Sequence, residues 1–163
     1  MPASYQVETS QLESEYRKLQ AEYHPDRFTD AADKERVQAL QLASIINDAY
    51  ETLKSPLKRA AYLLTLNGVD PEEHNQSHLE EAFLIKQMEL REDLESFVEA
   101  ENLDGLTRLR KETEQERDVV VGKFESCFNA SELEQAKSVY NQLQFLFKLL
   151  EEINRAEEKL LDY

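Results

Sequence analysis

Along most of the chain, apolar residues recur three and four positions apart, which is the spacing of one face of an α-helix. Near the start, this spacing connects Leu12, Tyr16, Leu19 and Tyr23. We predict a first helix that begins at Ser10, where Ser10 and Glu13 form a capping box, and that ends near Tyr23.

A second, longer helical pattern covers residues 30–54. Its apolar stripe consists of Val37, Leu40, Ala43, Ile45 or Ile46, Tyr50 and Leu53. Ser55 and Pro56 are typical of the N-cap and first position of a third helix, and Gly68 fits the position just after that helix. The apolar residues of this third helix are Leu57, Ala60, Ala61, Leu63, Leu64 and Leu66.

Residues 67–76 are predicted to form a linker, and three long helical patterns follow it. We predict helices over residues 77–100, 104–128 and 131–161, separated by a turn at residues 102–105 and a break at Asn129. Capping boxes are expected at Ser77 with Glu80 and at Ser131 with Glu134. The last helix carries a near-heptad stripe made of Leu133, Ala136, Tyr140, Leu143, Phe147, Leu150 and Ile153.

These patterns predict an all-α protein in which a helical hairpin is followed by an up-down-up bundle of three helices. The sequence contains no strand pattern, no internal repeat and no low-complexity segment. Its three Gly, four Pro and absence of Trp in 163 residues also argue against an all-β fold, which needs many tight turns.

The formal net charge of −15 argues against nucleic acid as a partner. The charge is uneven, because residues 1–66 carry ten acids and eight bases whereas residues 67–163 carry twenty-four acids and eleven bases. This asymmetry indicates either two modules with different partners or a long, solvated helical surface.

Cys127 is the only cysteine, which excludes an intramolecular disulfide and a thiolate metal cage. We expect it to be a small, buried residue near a helix end. His74 and His78 have no further partner at metal-like spacing, so we expect them on the surface. With no signal peptide and no apolar run near the roughly 20 residues that span a bilayer, we expect a cytoplasmic protein without a membrane partner.

His24, Pro25 and Asp26 lie between the first two predicted helices. Proline disfavours helical geometry for the residue before it, so His24 is expected to be extended. The imidazole and the carboxylate then face water on a stiff turn, which is a suitable place to contact another protein. The alternative is that both side chains only cap the neighbouring helix ends.

Two antiparallel helices joined by a His-Pro-Asp loop resemble the J domain of DnaJ-type co-chaperones. Residues 16–28 and 46–53 look like the ends of the second and third J-domain helices. Residues 55–64, 82–92 and 157–163 further resemble the HscB family, the J-type co-chaperones of iron–sulfur cluster assembly. The resemblance covers nearly the whole chain.

This resemblance implies a J domain over residues 1–67 and a three-helix scaffold-binding domain over residues 68–163. HscB proteins bind the scaffold protein IscU through the C-terminal domain and engage the DnaK-class chaperone HscA through the J domain, whose contact stimulates ATP hydrolysis. The expected function is delivery of an IscU-like scaffold to an HscA-like chaperone. The resemblance implies no enzyme activity, no cofactor and no small-molecule substrate.

The chain departs from the J-domain pattern in two ways. J domains normally begin with a short helix I, whereas the first residues of this sequence resemble the segment after that helix, so we expect roughly eight residues, about two helical turns, to be absent. Without this element, we expect apolar faces of the next two helices to lose cover. Arg27 stands where lysine is common, and we expect little effect because the charge is kept.

The expected chaperone-binding residues are His24, Pro25, Asp26, Arg27, Arg17 and Lys18. Asp26 offers a carboxylate that an arginine can hold through two charge-assisted hydrogen bonds. Pro25 stiffens the backbone, so little entropy is lost on binding. The three cations are expected to face acidic patches of the chaperone and to speed encounter.

The helix over residues 77–100 is too apolar for a single inward stripe. Its apolar residues cover more than one face, and they are Phe83, Leu84, Ile85, Met88, Leu90 and Leu94. The resemblance to HscB assigns scaffold binding to an apolar patch with an acidic rim. We expect the patch to contain Leu84, Ile85, Met88 and Phe145, with Glu89 and Glu92 beside them. The alternative is that the apolar residues pack into the core.

Three other functions are weighed against this one. A generalist J protein for unfolded clients is disfavoured because the chain has no Gly/Phe-rich linker and no Cys-x-x-Cys module. A hydrolase or metal enzyme that uses His24 and Asp26 would need a nucleophile or a third ligand that the sequence does not supply. A coiled-coil spacer would dimerise through residues 131–161.

Overall fold

A computed structural model describes residues 4–73 and 80–162. These residues form six α-helices and one short 3₁₀ helix, with no strand in either range, which confirms the all-α prediction. The α-helices are α1 (Thr9–Tyr23), α2 (Asp33–Lys54), α3 (Pro56–Leu66), α4 (Glu81–Glu99), α5 (Leu103–Asn129) and α6 (Leu133–Leu161), and the 3₁₀ helix is Pro25–Phe28.

The chain divides into two compact units, residues 1–63 and residues 64–163. In the first unit, α1 and α2 form an antiparallel hairpin in which Leu12 and Ala39 are buried. The rings of Tyr16 and Tyr50 stack with their centroids 4.0 Å apart. The Tyr16 hydroxyl also donates a hydrogen bond to Asn47 Oδ1 at 2.8 Å. Aromatic stacking and one polar contact thus hold the two helices together.

The segment before α1 is tied to the first unit although residues 4–8 form no helix. Tyr5 is 3% exposed. The guanidinium carbon of Arg59 lies 4.9 Å from the centroid of the Tyr5 ring, which is within the range of a cation–π contact. That the J domain lacks most of helix I stays a prediction.

Two helices begin at different residues from those predicted. α1 begins at Thr9 with Glu8 as its N-cap, so Ser10 lies inside the first turn and the predicted capping box is wrong. α2 begins at Asp33 rather than at residue 30, because a 3₁₀ helix and a turn occupy residues 25–30 first. Neither Glu8 nor Ala32, the N-caps of α1 and α2, makes a side-chain cap hydrogen bond, so neither start is marked by a local capping motif.

The predicted apolar stripe of α2 is only partly right. Ala43, Ile46, Tyr50 and Leu53 are partly buried. Val37 and Leu40, however, are 52% and 57% exposed, so the prediction that they belong to the buried face is wrong. Ala39 is fully buried instead. The apolar residues of α2 are spread over more than one face of the helix. The 3.6-residue period alone does not show which of these faces packs against α1.

α3 begins and ends as the sequence predicts. The Ser55 hydroxyl accepts a hydrogen bond from the Lys58 N–H at 3.3 Å, and Pro56 is the first residue of the helix. Gly68 has a φ of +78°, a left-handed conformation that glycine adopts without a Cβ clash. The Val69 N–H then donates to the Leu64 carbonyl, which gives a carbonyl of the last turn a partner.

In the second unit, α4, α5 and α6 form the predicted up-down-up bundle. α5 runs antiparallel to α6, because Arg110 bonds to Glu157 whereas Arg117, two turns later, lies over the ring of Phe147. A buried cluster in the core consists of Leu90, Leu94, Leu106, Leu109, Leu149 and Ile153. Five residues of the near-heptad stripe of α6 are buried, as expected for packing between helices: Ala136, Tyr140, Leu143, Leu150 and Ile153.

The turns of the bundle are short, and one of them depends on glycine. The Asn102 side chain accepts a hydrogen bond from the Gly105 N–H at 2.9 Å and caps α5. A Cβ at Gly105 would lie 2.6 Å from a ring carbon of Phe97, so glycine lets the end of α4 approach the start of α5. The cap predicted at Ser131 is wrong, because Ser131 lies in the turn with a φ of 59° and Glu132 is the N-cap of α6.

Three predictions concern residues 74–79, which lie outside the described ranges. They are the cap at Ser77 and the surface positions of His74 and His78. The following helix, α4, begins at Glu81 with Glu80 as its N-cap.

Gln87 of α4 is 6% exposed, and neither its Nε2 nor its Oε1 has a hydrogen-bond partner among the described residues. A buried amide without partners costs about 1–3 kcal/mol. We therefore expect Gln87→Met, which keeps the side-chain volume, to raise the free energy of unfolding by about 1–2 kcal/mol. Urea unfolding followed by circular dichroism measures this change.

Gln144→Met is the matched control, because the Gln144 amide donates to the Tyr140 hydroxyl at 3.1 Å. This variant loses a hydrogen bond and should not gain stability. Equal or lower stability of Gln87→Met than of the parent protein would contradict the prediction.

Candidate functional sites

The His-Pro-Asp corner has the backbone that its proline predicts. α1 ends at Tyr23, and His24 is extended with φ −63° and ψ 132°. Pro25 then starts the 3₁₀ helix, where its fixed φ and missing N–H are tolerated. The corner therefore changes the direction of the chain within a few residues and leaves its side chains at the surface.

Both polar side chains of the corner are accessible. The side chains of His24 and Asp26 are 48% and 87% exposed. His24 Nδ1 accepts a hydrogen bond from the Asp26 N–H at 3.2 Å and lies 3.6 Å from Asp26 Oδ2. His24 thus caps the 3₁₀ helix with one ring nitrogen. The Asp26 carboxylate is exposed, and no hydrogen bond to a helix end is seen for it among the described residues.

The three candidate cations differ in what they already contact. Arg27 Nη1 donates to the Ala21 carbonyl at 2.8 Å, which ties the corner back to the last turn of α1. Lys18 pairs with Glu15 at 3.0 Å on the exposed surface of α1, where such a pair is weak. Arg17 is exposed on the same helix.

Leu84, Ile85, Met88 and Phe145 all lie at the surface of the second unit. Their exposures are 43%, 51%, 63% and 39%, so the prediction that these side chains remain outside the core is confirmed. Leu84 and Met88 are four residues apart and share one row of α4. Their assignment to scaffold binding stays a prediction.

Phe145 joins α6 to the surface of α4. Its ring meets the ring of buried Phe83 edge to face, with centroids 6.4 Å apart. About two turns further along both helices, Arg91 Nη1 lies 2.8 Å from Glu152 Oε2. Both contacts join α4 to α6, so the exposed apolar side chains of the two helices lie close to contacts that connect those helices.

Acidic side chains lie beside this apolar surface. Glu89 and Glu92 are exposed on α4, one and two turns after Ile85. Lys86 pairs with Glu112 of α5 at 2.6 Å. The hydrogen bond that Lys86 Nζ donates to Glu112 raises the pKa of the Lys86 amine and outweighs the lowering by burial, and the charges of Glu112, Glu89 and Glu116 raise this pKa further. Lys86 is thus engaged with α5, and the exposed charge next to Ile85 is mainly negative.

Other candidate chemistry receives little support from the geometry. Cys127 is half-buried beside a groove between α5 and α6, with Sγ 3.9 Å from Gln135 Oε1. The predicted place near a helix end is confirmed, because α5 ends at Asn129, but the predicted burial is only partial. Within residues 4–73 and 80–162, no group of three or more His, Cys, Asp or Glu side chains is placed to hold a metal ion. No helix in these ranges is long and apolar enough to cross a membrane.

Comparison with known proteins decides the family. Residues 3–62 match the family model described as the DnaJ domain, and residues 79–154 match the one described as the HSCB C-terminal oligomerisation domain. The chain is 41% identical to the co-chaperone protein HscB of Proteus mirabilis over 167 aligned residues, which cover 99% of this chain and 94% of that protein. The chain belongs to the HscB family. Its members are co-chaperones, which are not enzymes.

Solved structures of HscB proteins have the same fold. HscB from Vibrio cholerae is 36% identical and superposes with a TM-score of 0.87, covering 98% of this chain and 94% of that chain. Human HscB is 29% identical with a TM-score of 0.86, covering 94% of this chain and 76% of that chain. The J-domain hairpin and the helical bundle described above are thus those of an HscB co-chaperone.

Proposed function

We propose that this chain delivers an IscU-like iron–sulfur scaffold to an HscA-like chaperone of the DnaK class and stimulates ATP hydrolysis there. The observation that carries this proposal is the presence of two exposed recognition surfaces on two separate compact units. The His-Pro-Asp corner lies in the first unit, and the apolar patch of α4 and α6 lies in the second. An adaptor needs one surface for each partner.

The corner supplies the chaperone contact. The Asp26 carboxylate is 87% exposed and can accept two parallel hydrogen bonds from an arginine of the chaperone. The cap from His24 and the ring of Pro25 hold the backbone in its bound form beforehand, so less entropy is lost on association. Arg17 and Lys18 add positive potential on the α1 surface and favour encounter with an acidic partner.

Stimulating hydrolysis requires no catalytic group in this chain. The corner binds one conformation of the chaperone better than the other, and that difference in affinity shifts the population toward the state that hydrolyses ATP faster. The nucleotide, its magnesium ion and the catalytic side chains all belong to the chaperone.

The patch supplies the scaffold contact. Leu84, Ile85 and Met88 present apolar surface on α4, and Phe145 adds an aromatic ring from α6. Glu89 and Glu92 form a charged rim. A small apolar centre with a polar rim is typical of specific, reversible protein interfaces. A cytoplasmic location for this delivery stays a prediction.

An ATPase assay with purified components tests the proposal. The rate of an HscA-like chaperone is measured alone, with this protein, with an IscU-like scaffold, and with both. We expect stimulation by this protein alone and greater stimulation when the scaffold is also present. No stimulation in any combination would overturn the proposal, and equal enhancement by unfolded peptides in place of the scaffold would favour a generalist co-chaperone.

A further inference from the structure

A cleft of about 230 Å³ lies between α1 and α2, directly beside the His-Pro-Asp corner. It is lined by Gln20 and Tyr23 of α1, His24 and Pro25 of the corner, and Ala43, Ile46 and Asn47 of α2. Ala43, Ile46 and Asn47 are spaced three and four residues apart, so they form one face of α2 toward the cleft.

The walls of the cleft are apolar and its rim is polar. Tyr23, Pro25, Ala43 and Ile46 are all only partly buried, so apolar surface remains open to a partner. The Tyr16 hydroxyl bonds to Asn47 Oδ1 at 2.8 Å and accepts from Gln20 Nε2 at 3.3 Å. Both rim amides are thereby fixed, and the cleft is formed before any partner binds.

The size and chemistry of the cleft select its occupant. Its volume is below the roughly 300–1,000 Å³ of small-molecule sites, which favours a single side chain. None of the lining residues is acidic, so a lysine or arginine inserted here would lose hydration without gaining an ion pair. An aliphatic side chain has no charge to desolvate and needs no ion pair, and it gains contact with the apolar walls.

We propose that this cleft receives one aliphatic side chain, of leucine, isoleucine or methionine size, from the DnaK-class chaperone that docks on the corner. This inference rests on the proposed function, because His24 and Pro25 line the cleft while Asp26 is the adjacent contact for an arginine. An ion pair to a carboxylate as exposed as that of Asp26 can set the orientation of the docked chaperone but contributes little affinity by itself. A desolvated apolar anchor next to it supplies the affinity that the ion pair lacks.

A larger side chain at Ala43, which lines the cleft, tests the inference. Ala43→Leu places a leucine side chain where the partner's would bind, without leaving a polar atom unpaired. We expect a melting temperature equal to or above that of the parent protein. In the ATPase assay, we expect half-maximal stimulation to require about tenfold more of the variant, with little change in the rate at saturation.

Ala49→Leu is the matched control, since Ala49 is exposed on the same helix and does not line the cleft. If Ala43→Leu lowers the melting temperature markedly, Ala43→Val repeats the test with less added volume. The concentration of Ala43→Val that gives half-maximal ATPase stimulation then replaces the value for Ala43→Leu in the comparison. An unchanged half-maximal concentration, with stimulation lost in His24→Gln, would refute the cleft and leave the proposed function standing. Stimulation that persists in His24→Gln would refute the corner as the docking point and, with it, the cleft, whereas absence of stimulation by the parent protein would refute the proposed function.

Discussion

His24→Gln should reduce the chaperone's ATPase rate to its unstimulated value while leaving the fold of this protein intact. The imidazole is nearly half exposed, and its only hydrogen bond among the described residues is the local one to the Asp26 N–H. Substitutions at such surface positions change stability by about 0.5 kcal/mol or less. The glutamine side chain is longer and flexible, so the corner loses the fixed ring beside Pro25 and Asp26. Steady-state ATP hydrolysis by an HscA-like chaperone measures the effect.

Asp26→Asn and Asp30→Asn form a matched pair for the same assay. Both residues are exposed acids in the segment between α1 and α2, but only Asp26 belongs to the corner. Removing the Asp26 charge weakens the two-pronged contact with an arginine, so stimulation should be lost, whereas Asp30→Asn should stimulate normally. Equal stimulation by the two variants, or persistent stimulation by His24→Gln, would show that the corner is not the docking point.

Replacing Leu84, Met88 and Phe145 together with alanine should weaken binding of an IscU-like scaffold by about 100-fold. Each of these side chains keeps between 39% and 63% of its surface exposed, so a partner can bury a large apolar area on them. Their loss costs the free protein much less, because little of each side chain is buried in the bundle. Isothermal titration calorimetry with the scaffold, beside a thermal melt of the variant, measures both quantities.

The control replaces three other exposed apolar residues of the same unit with alanine. Val98, Val119 and Leu161 are 43%, 56% and 68% exposed, and they lie elsewhere on α4, α5 and α6. Scaffold affinity should be unchanged in this variant. A large fall in melting temperature with unchanged affinity in the Leu84, Met88 and Phe145 variant would instead show that those residues serve the core.

Much of the fold could be predicted from local sequence because the decisive signals are local. The bounds of α3 follow from Ser55, Pro56 and Gly68, each of which has one well-defined place at a helix end. The exposed corner follows from the restriction that Pro25 places on His24. The exposure of Leu84 and Met88 follows from an excess of apolar residues over what one buried stripe can hold.

What could not be predicted depends on residues distant in sequence. Val37 and Ala39 are both plausible core residues, and only the position of α1 decides that Ala39 is buried. The cleft beside the corner forms only when Ala43 comes close to Gln20 and Tyr23, which are 23 and 20 residues earlier in the sequence. Its one advance signal is a small residue, Ala43, inside an otherwise bulky stripe. Neither periodicity nor composition indicates the burial of the Gln87 amide.

The hydrogen bond from Arg27 to the Ala21 carbonyl changes how salt should act on the first meeting with the chaperone. Part of the guanidinium is committed to the negative end of the α1 dipole, so less of its field reaches outward. Lys18 is paired with Glu15, so long-range attraction relies mainly on Arg17, which is exposed on α1 and open to screening by ions. Added salt should therefore slow association through Arg17 while the braced corner keeps its shape.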